Sequence, residues 1–243
     1  MMSEKLQIDQ IISILSHGKI NVTGRFLWGS NYTFLTEVKS EGESVAAVYK
    51  PSRGERPLWD FPRETLAARE VAAYLTSQAL GWDLVPPTVL RKEGPAGLGS
   101  LQLYVDVDVE HHYFTFSDEE KQRLRPVALF DLLINNADRK GGHVLMSPDG
   151  HIWSIDHGIC FHQEDKLRTV IWDFANEFIP EDLIADTQMF YDRLVNDTEL
   201  QQRYIDLLSE GEFHALIRRT ERMLEDRCFP EPFTDRPYPW PMV

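Results

Sequence analysis

The sequence predicts a two-lobed α+β fold, an N-terminal antiparallel sheet carrying one helix and then a mainly helical half. Three observations predict it. Runs of β-branched and aromatic residues, separated by turn signals, fill the chain up to about residue 105. One segment rich in Ala, Leu and Glu, 64–80, interrupts them with helical spacing. Beyond residue 106 helical patterning dominates, broken by a single short hairpin.

The elements follow in order. Residues 1–19 form a helical extension, because Leu6, Ile11, Ile14 and Leu15 recur at helical spacing before the stop at Gly18. Residues 20–105 make the N-lobe. It opens with a hairpin over 20–39, whose arms INVTGRFLW and YTFLTEV flank the turn residues Gly29, Ser30 and Asn31. A second turn at Glu41-Gly42-Glu43 leads into SVAAVYKP, a strand ended by Pro51. In the helix over 64–80, Ala67, Val71, Tyr74 and Leu75 share a face and Gly81 terminates. Two further strands, VPPTVL and SLQLYVDVDV, enclose a Gly/Pro-rich turn at 94–99. Residues 106–228 make the C-lobe. Ser117 caps a helical stretch over 119–135, and HVLMS and HIWSID pair across a Pro148-Asp149-Gly150 turn. Pro180 opens one helix, and 198–226 holds one or two more. In the tail, 229–243, prolines recur too often for a helix, so an extended segment lying on the body is expected.

Composition narrows the function. Lys and Arg number 25 against 39 Asp and Glu, a net charge of −14, which argues against a nucleic-acid binder and against adhesion to an anionic membrane. Two cysteines exclude a disulfide scaffold and a four-thiolate zinc site. No apolar run approaches the ~18 residues that span a bilayer. The opening MMSEKLQIDQ lacks the apolar core of a secretory signal, so a cytoplasmic protein is expected.

The chemistry concentrates in 131–158, DLLINNADRKGGHVLMSPDGHIWSIDHG. A hairpin folds back on itself, so Asp138 and His143 at its entrance should lie near Asp156 at its exit. Two carboxylates and an imidazole at one hairpin mouth suit a hard cation and a general base. Gly141 and Gly142 would leave room for a phosphate to approach.

The order of parts adds to this. A glycine-bearing hairpin at Gly29 comes first, then a strand ending at Lys50, a helix carrying Glu70, a further strand, the Asp138 loop, and a hairpin ending in Asp156-His157-Gly158. Over roughly residues 25–175 this order resembles the protein-kinase-like fold of the phosphatidylinositol 3-/4-kinase superfamily, and in particular its small bacterial members. The resemblance implies an ATP- and Mg²⁺-dependent (or Mn²⁺-dependent) transfer of the γ-phosphoryl group to an unidentified hydroxyl acceptor. It implies that Asp138, with Arg139 beside it, is catalytic. Asp156 would hold the metal, with His143 as a second ligand. Lys50 would bind the α/β-phosphates and Glu70 would fix Lys50. Backbone groups of Leu103, Tyr104 and Val105 would meet the adenine edge, and Gly29, Ser30 and Asn31 would cover the phosphates.

His143 departs from the pattern, since that superfamily has asparagine five residues after the catalytic aspartate. No full G-x-G-x-x-G is present, and 159–180 has no room for a long activation segment, so a lipid acceptor is not implied. Glu64 rivals Glu70 on helical spacing. The residues also admit other readings: a nucleotide-binding pseudokinase, an AMP transferase on the same fold, or a transition-metal hydrolase built from His143, His157, His162, Asp138 and Asp156, with His111 and His112 joining them. Cys160 sits between Ile159 and Phe161, which favours an inert buried thiol over a nucleophile.

Overall fold

The structure is a computed structural model and describes residues 6–26 and 32–243. Helix α1 (Ile8–His17) is followed by β1 (Lys19–Phe26), β2 (Thr33–Ser40) and β3 (Glu43–Pro51), then α2 (Leu66–Leu80), β4 (Thr88–Gly94) and β5 (Gly97–Leu103). The strands form one antiparallel sheet in the order β1-β2-β3-β5-β4. The turn expected at Gly29, Ser30 and Asn31 lies outside the described residues.

The period of two along β3 separates two jobs. Val45, Ala47 and Tyr49 are buried and pack with Val38 and Leu101 beneath Ile14 and Leu15 of α1. Lys50, one residue on from Tyr49, therefore points to the other face. Arg91 anchors α1 by donating from Nη1 to the Leu15 and Gly18 carbonyls at 2.7 and 3.1 Å.

Helix α2 belongs to a different core. Ala72, Ala73, Leu75 and Leu80 join Leu124, Leu129, Phe130, Phe190 and Leu216 of the helical half in one continuous apolar cluster. It rests on β4 and β5 on one side and on the C-lobe helices on the other, which is why residues all round it are buried. Glu64 stands before the first turn with φ of 61°, off the helix, whereas Glu70 sits buried within it.

Two expected elements are shorter than the pattern suggests. The strand expected through residue 109 ends at Leu103, because Pro86 and Pro87 on the neighbouring strand offer no N–H to continue the ladder. The helical stretch over 119–135 divides into α3 (Asp118–Gln122) and α4 (Arg125–Ile134), where Pro126 starts a new first turn. A 3₁₀ turn (Gly141–His143) leads into β6 (Val144–Met146) and its antiparallel partner β7 (Ile152–Ser154). Helices α5 (Glu181–Asn196), α6 (Thr198–Ile205) and α7 (Glu210–Asp226) complete the C-lobe.

Residues 229–243 run without helix or strand over the body. The Pro237 carbonyl accepts from the Thr169 amide at 3.0 Å, and the Met242 carbonyl accepts from the Gly141 amide at 2.8 Å. The tail thus crosses the segment after Asp156 and returns to the Asp138 loop. The fold is that of a two-lobed kinase-like α+β domain.

Candidate active site

Lys50 is the junction of the cleft. Its Nζ lies 2.5 Å from Glu70 Oε1 and 3.0 Å from Asp156 Oδ1, so an amine from the sheet joins acids from α2 and from the exit of the β6–β7 hairpin. Burial alone would drive off the Lys50 proton, but Asp156 and Glu70 outweigh it and hold the amine above its ordinary pKa. The other oxygen of Glu70 accepts the His157 amide at 3.0 Å, which ties α2 to the chain next to Asp156.

Asp156 adopts a left-handed backbone, φ 61°, a conformation aspartate tolerates better than most residues. Its side chain is 48 % exposed, and Lys50 holds its carboxyl well below the usual carboxylate range. An ionised, accessible oxygen donor fits a hard cation such as Mg²⁺, which takes one or two protein carboxylates and fills its shell with phosphates and water.

His143, expected as a second metal ligand, stands beside Asp156. Its Nδ1 accepts the Lys140 amide at 3.4 Å, and Nε2 lies 3.3 Å from Asp156 Oδ2. Burial pushes its pKa down to about 4, so the ring is neutral with its proton on Nε2. It presents an N–H to the Asp156 carboxylate where a metal ligand would present a lone pair.

Arg139 sits behind the hairpin. Expected beside the reacting atoms, it is wholly buried and grips Asp131 of α4, with Nε 2.9 Å from Oδ2 and Nη2 2.9 Å from Oδ1. Nη1 donates to the Ile155 carbonyl at 2.8 Å and Nη2 reaches His157 Nε2 at 2.8 Å. The guanidinium clamps both ends of the hairpin from behind, and its charge is spent on Asp131. Asn136 completes the clamp: its Nδ2 donates to Asp131 Oδ1 at 3.0 Å and its Oδ1 accepts the Asp138 amide at 2.9 Å. Neither Asp131 nor Asn136 was singled out from sequence, although a lone aspartate inside the apolar run VALFDLLI was the available signal.

Asp138 itself has a side chain 26 % exposed and, among the described residues, one side-chain partner, Lys140 Nζ at 3.1 Å. Burial raises its pKa, and the Lys140 charge only partly offsets that. A carboxylate so shifted is a better proton acceptor. Gly141 does not make room for a ligand: a Cβ there would lie 2.4 Å from the Phe114 ring. Gly142 does face open space.

In the linker between the lobes, the Leu103 amide donates to the Pro87 carbonyl at 2.8 Å and the Tyr104 amide to the Ala46 carbonyl at 2.9 Å. Of the backbone groups expected at the adenine edge, the Leu103 and Tyr104 amides are therefore paired within the N-lobe. Val105 keeps an amide with no partner among the described residues. Gly29, Ser30 and Asn31 lie outside the described residues.

The remaining expectations separate cleanly. Cys160 is buried and its thiol is pushed far up by burial, so it is no nucleophile. His162 faces the Asp60 carbonyl at 3.0 Å and His111 faces Glu120 at 3.0 Å, both apart from Asp156. Among the described residues no group of three or more His, Cys, Asp or Glu is placed to hold a metal, which leaves the transition-metal hydrolase without a ligand set. No helix among the described residues is long and apolar enough to cross a membrane.

Comparison with known proteins bears on the fold and the family. No family model matches the chain. A crystal structure of the Helicobacter pylori proinflammatory kinase CtkA superposes with a TM-score of 0.54, covering 88 % of this chain and 94 % of that one at 12 % identity, which is a likeness of fold. Phosphatidylinositol 4-kinase gamma 4 of Oryza sativa is 31 % identical over 173 residues, 55 % of this chain but only 30 % of that protein. Protein Rv2133c of Mycobacterium tuberculosis is 40 % identical over 264 aligned positions that cover 94 % of both chains. On that full-length match, the chain belongs to the family of Protein Rv2133c.

Proposed function

We propose that the chain is an ATP- and Mg²⁺-dependent phosphotransferase of the phosphatidylinositol 3-/4-kinase-like superfamily that passes the γ-phosphoryl group to a hydroxyl acceptor. The observation that carries this reading is the Lys50 junction. One ammonium bridges an acid of α2 and an acid of the hairpin exit, at 2.5 and 3.0 Å, across the two lobes. Phosphoryl transfer asks a protein mainly for positioning and for cancelled charge. Lys50 binds the α/β-phosphates as a point charge, with Glu70 keeping it in place. Val105 offers its amide to the adenine edge. Asp156 would hold Mg²⁺, which when bound neutralises charge on the phosphate oxygens. Asp138 orients the acceptor hydroxyl and takes its proton. Lys140, beside Asp138, adds a cation where negative charge accumulates. Arg139 keeps Asp138 and Asp156 at one hairpin mouth.

A second reading, a nucleotide-binding pseudokinase, is favoured by His143. Its Nε2–H faces Asp156 where the superfamily carries a second metal ligand. Titration calorimetry separates the two. ATP should bind in a Mg²⁺-dependent manner, and Asp156→Ala should abolish the metal dependence. Asp138→Asn should leave ATP affinity within about threefold yet slow transfer by about 10²–10⁴-fold. ATP binding with neither phosphate nor AMP moved to any hydroxyl acceptor would favour the pseudokinase, and ATP binding with AMP moved would favour the AMP transferase. No ATP binding at all would end the proposal.

A further inference from the structure

A second polar cavity lies away from the cleft, between α7 and the chain that follows Asp156-His157-Gly158. It measures about 160 Å³ and is lined by Gln163, Asp165, Ala215, Arg218, Arg219 and Arg222. Three guanidinium groups and one carboxylate meet there, in a chain whose net charge is −14. The carboxylate is taken: Asp165 Oδ2 lies 2.9 Å from Arg222 Nη1.

Arg219 is the unusual member. It is only 4 % exposed. Its Nε donates to the Leu133 carbonyl at 2.9 Å and its Nη1 to the His162 carbonyl at 3.2 Å, so the guanidinium plane is fixed by two backbone acceptors. Its Nη2 is buried and has no hydrogen-bond partner among the described residues. Burial, with the like charges of Arg222 and Arg218, pushes its pKa down to about 10 against the opposing pulls of Asp165 and Cys160. A buried cation with an unspent donor is costly, and natural proteins rarely leave one without a purpose.

We propose that this cavity binds a phosphate monoester dianion, carried on a phosphorylated side chain or supplied as free phosphate. The inference does not depend on the nucleotide reading of the cleft. The planar fork of arginine matches the oxygens of a phosphate, and charge-assisted bonds of this kind are among the strongest available in water. Three cations over one carboxylate leave two positive charges, the complement of a dianion. A water occupies about 30 Å³ of liquid, so the cavity admits a tetrahedral oxyanion together with a water or two. The Gln163 amide adds a neutral donor to the rim. Because the His162 carbonyl is also an acceptor for Asn135 Nδ2 at 2.9 Å, an anion on Arg219 would brace the segment leading away from Asp156.

The test uses the full chain and three probes: inorganic phosphate, O-phosphoserine, and serine as the control, each titrated against chloride at equal ionic strength. Phosphate or O-phosphoserine should bind and raise the melting temperature with the logarithm of its concentration. Arg218→Ala/Arg222→Ala changes two surface-reaching side chains and should fold. It should weaken binding at least tenfold. Lys50→Met, which disarms the cleft, should leave it intact. Tighter binding of O-phosphoserine than of inorganic phosphate assigns the site to phosphorylated side chains, and equal binding assigns it to free phosphate. No response beyond chloride overturns the proposal. So does a response that survives Arg218→Ala/Arg222→Ala or disappears in Lys50→Met.

Discussion

Arg139 and Arg219 are both buried in the helical half, and the two regions around them handle a buried charge in opposite ways. Around Arg139 every donor is spent, on Asp131, on the Ile155 and His143 carbonyls and on His157. Burial pulls against its proton, but Asp131 more than restores it, and its pKa rises. Around Arg219 the acceptors are two carbonyls, the Nη2 nitrogen has no partner among the described residues, and the pKa falls. Desolvation is common to both; a carboxylate in contact is not. A buried guanidinium with its acid beside it is scaffold, and one without an acid is a vacancy for an anion. Arg69 falls on the scaffold side: its guanidinium pairs with Glu212 and donates to the Cys160 carbonyl at 2.5 Å, fastening α2 to α7.

The largest effect should come from breaking the satisfied pair. Asp131→Ala strands Arg139 with its charge uncompensated in the core. A broken buried pair costs about 3–5 kcal/mol. Urea denaturation should show that loss, and a loss below about 1 kcal/mol would mean that Arg139 is not held as the geometry describes. The hairpin should loosen with it, since the same guanidinium fixes both the Asp138 and the Asp156 ends.

That dependence also marks where sequence reading stops. Lys50 and Glu70 were legible because each sits on a regular element whose order along the chain constrains where it can go, and Asp156 because it lies two residues past the end of β7. The period of two on β3 sets the face of Lys50, and α2, packed between the sheet and the C-lobe helices, buries Glu70. Arg139 was not legible. Its neighbours in sequence are loop residues, and its partner Asp131 lies on a helix that reads as wholly apolar apart from that one acid. His143 was legible as a departure but not as a tautomer, because its proton is placed by the Lys140 amide. The strand ends were misjudged where a proline on the neighbouring strand, invisible to the local pattern, removed a donor. α2 packs on β4 and β5 of the small lobe as expected and also joins the larger core of the helical half, which its own pattern does not show.

The intermediate effect belongs to the Arg69–Glu212 pair. Burial raises the Glu212 pKa, but the Arg69 charge, its hydrogen bond and those from Ser209 overcome this and hold it below its ordinary value of 4.5. A carboxyl depressed in the folded state contributes stability that is complete above its unfolded pKa, near 4.5, and is lost as pH falls through the lower folded value. Glu212→Gln should therefore cost about 1–3 kcal/mol at pH 7, since an amide still accepts a hydrogen bond but brings no charge. The gap between wild type and variant in urea midpoint should close below about pH 4.5. A gap unchanged down to pH 3 would assign the effect to packing and remove Arg69 from the paired class.

The smallest effect is the most telling. Arg219→Met replaces a buried cation that has no carboxylate in contact with an apolar chain of similar reach. Such replacements are often neutral or stabilising, because the desolvation penalty disappears with the charge. Against that gain stands the Leu133 carbonyl, which loses its donor, while the His162 carbonyl keeps Asn135. The two terms are of similar size, so in buffers free of phosphate the variant should unfold within about 1 kcal/mol of wild type. Adding phosphate should then stabilise wild type and leave Arg219→Met where it was. A loss of several kcal/mol without phosphate would place Arg219 with Arg139 as scaffold, and the contrast between the two regions would collapse into one rule for both.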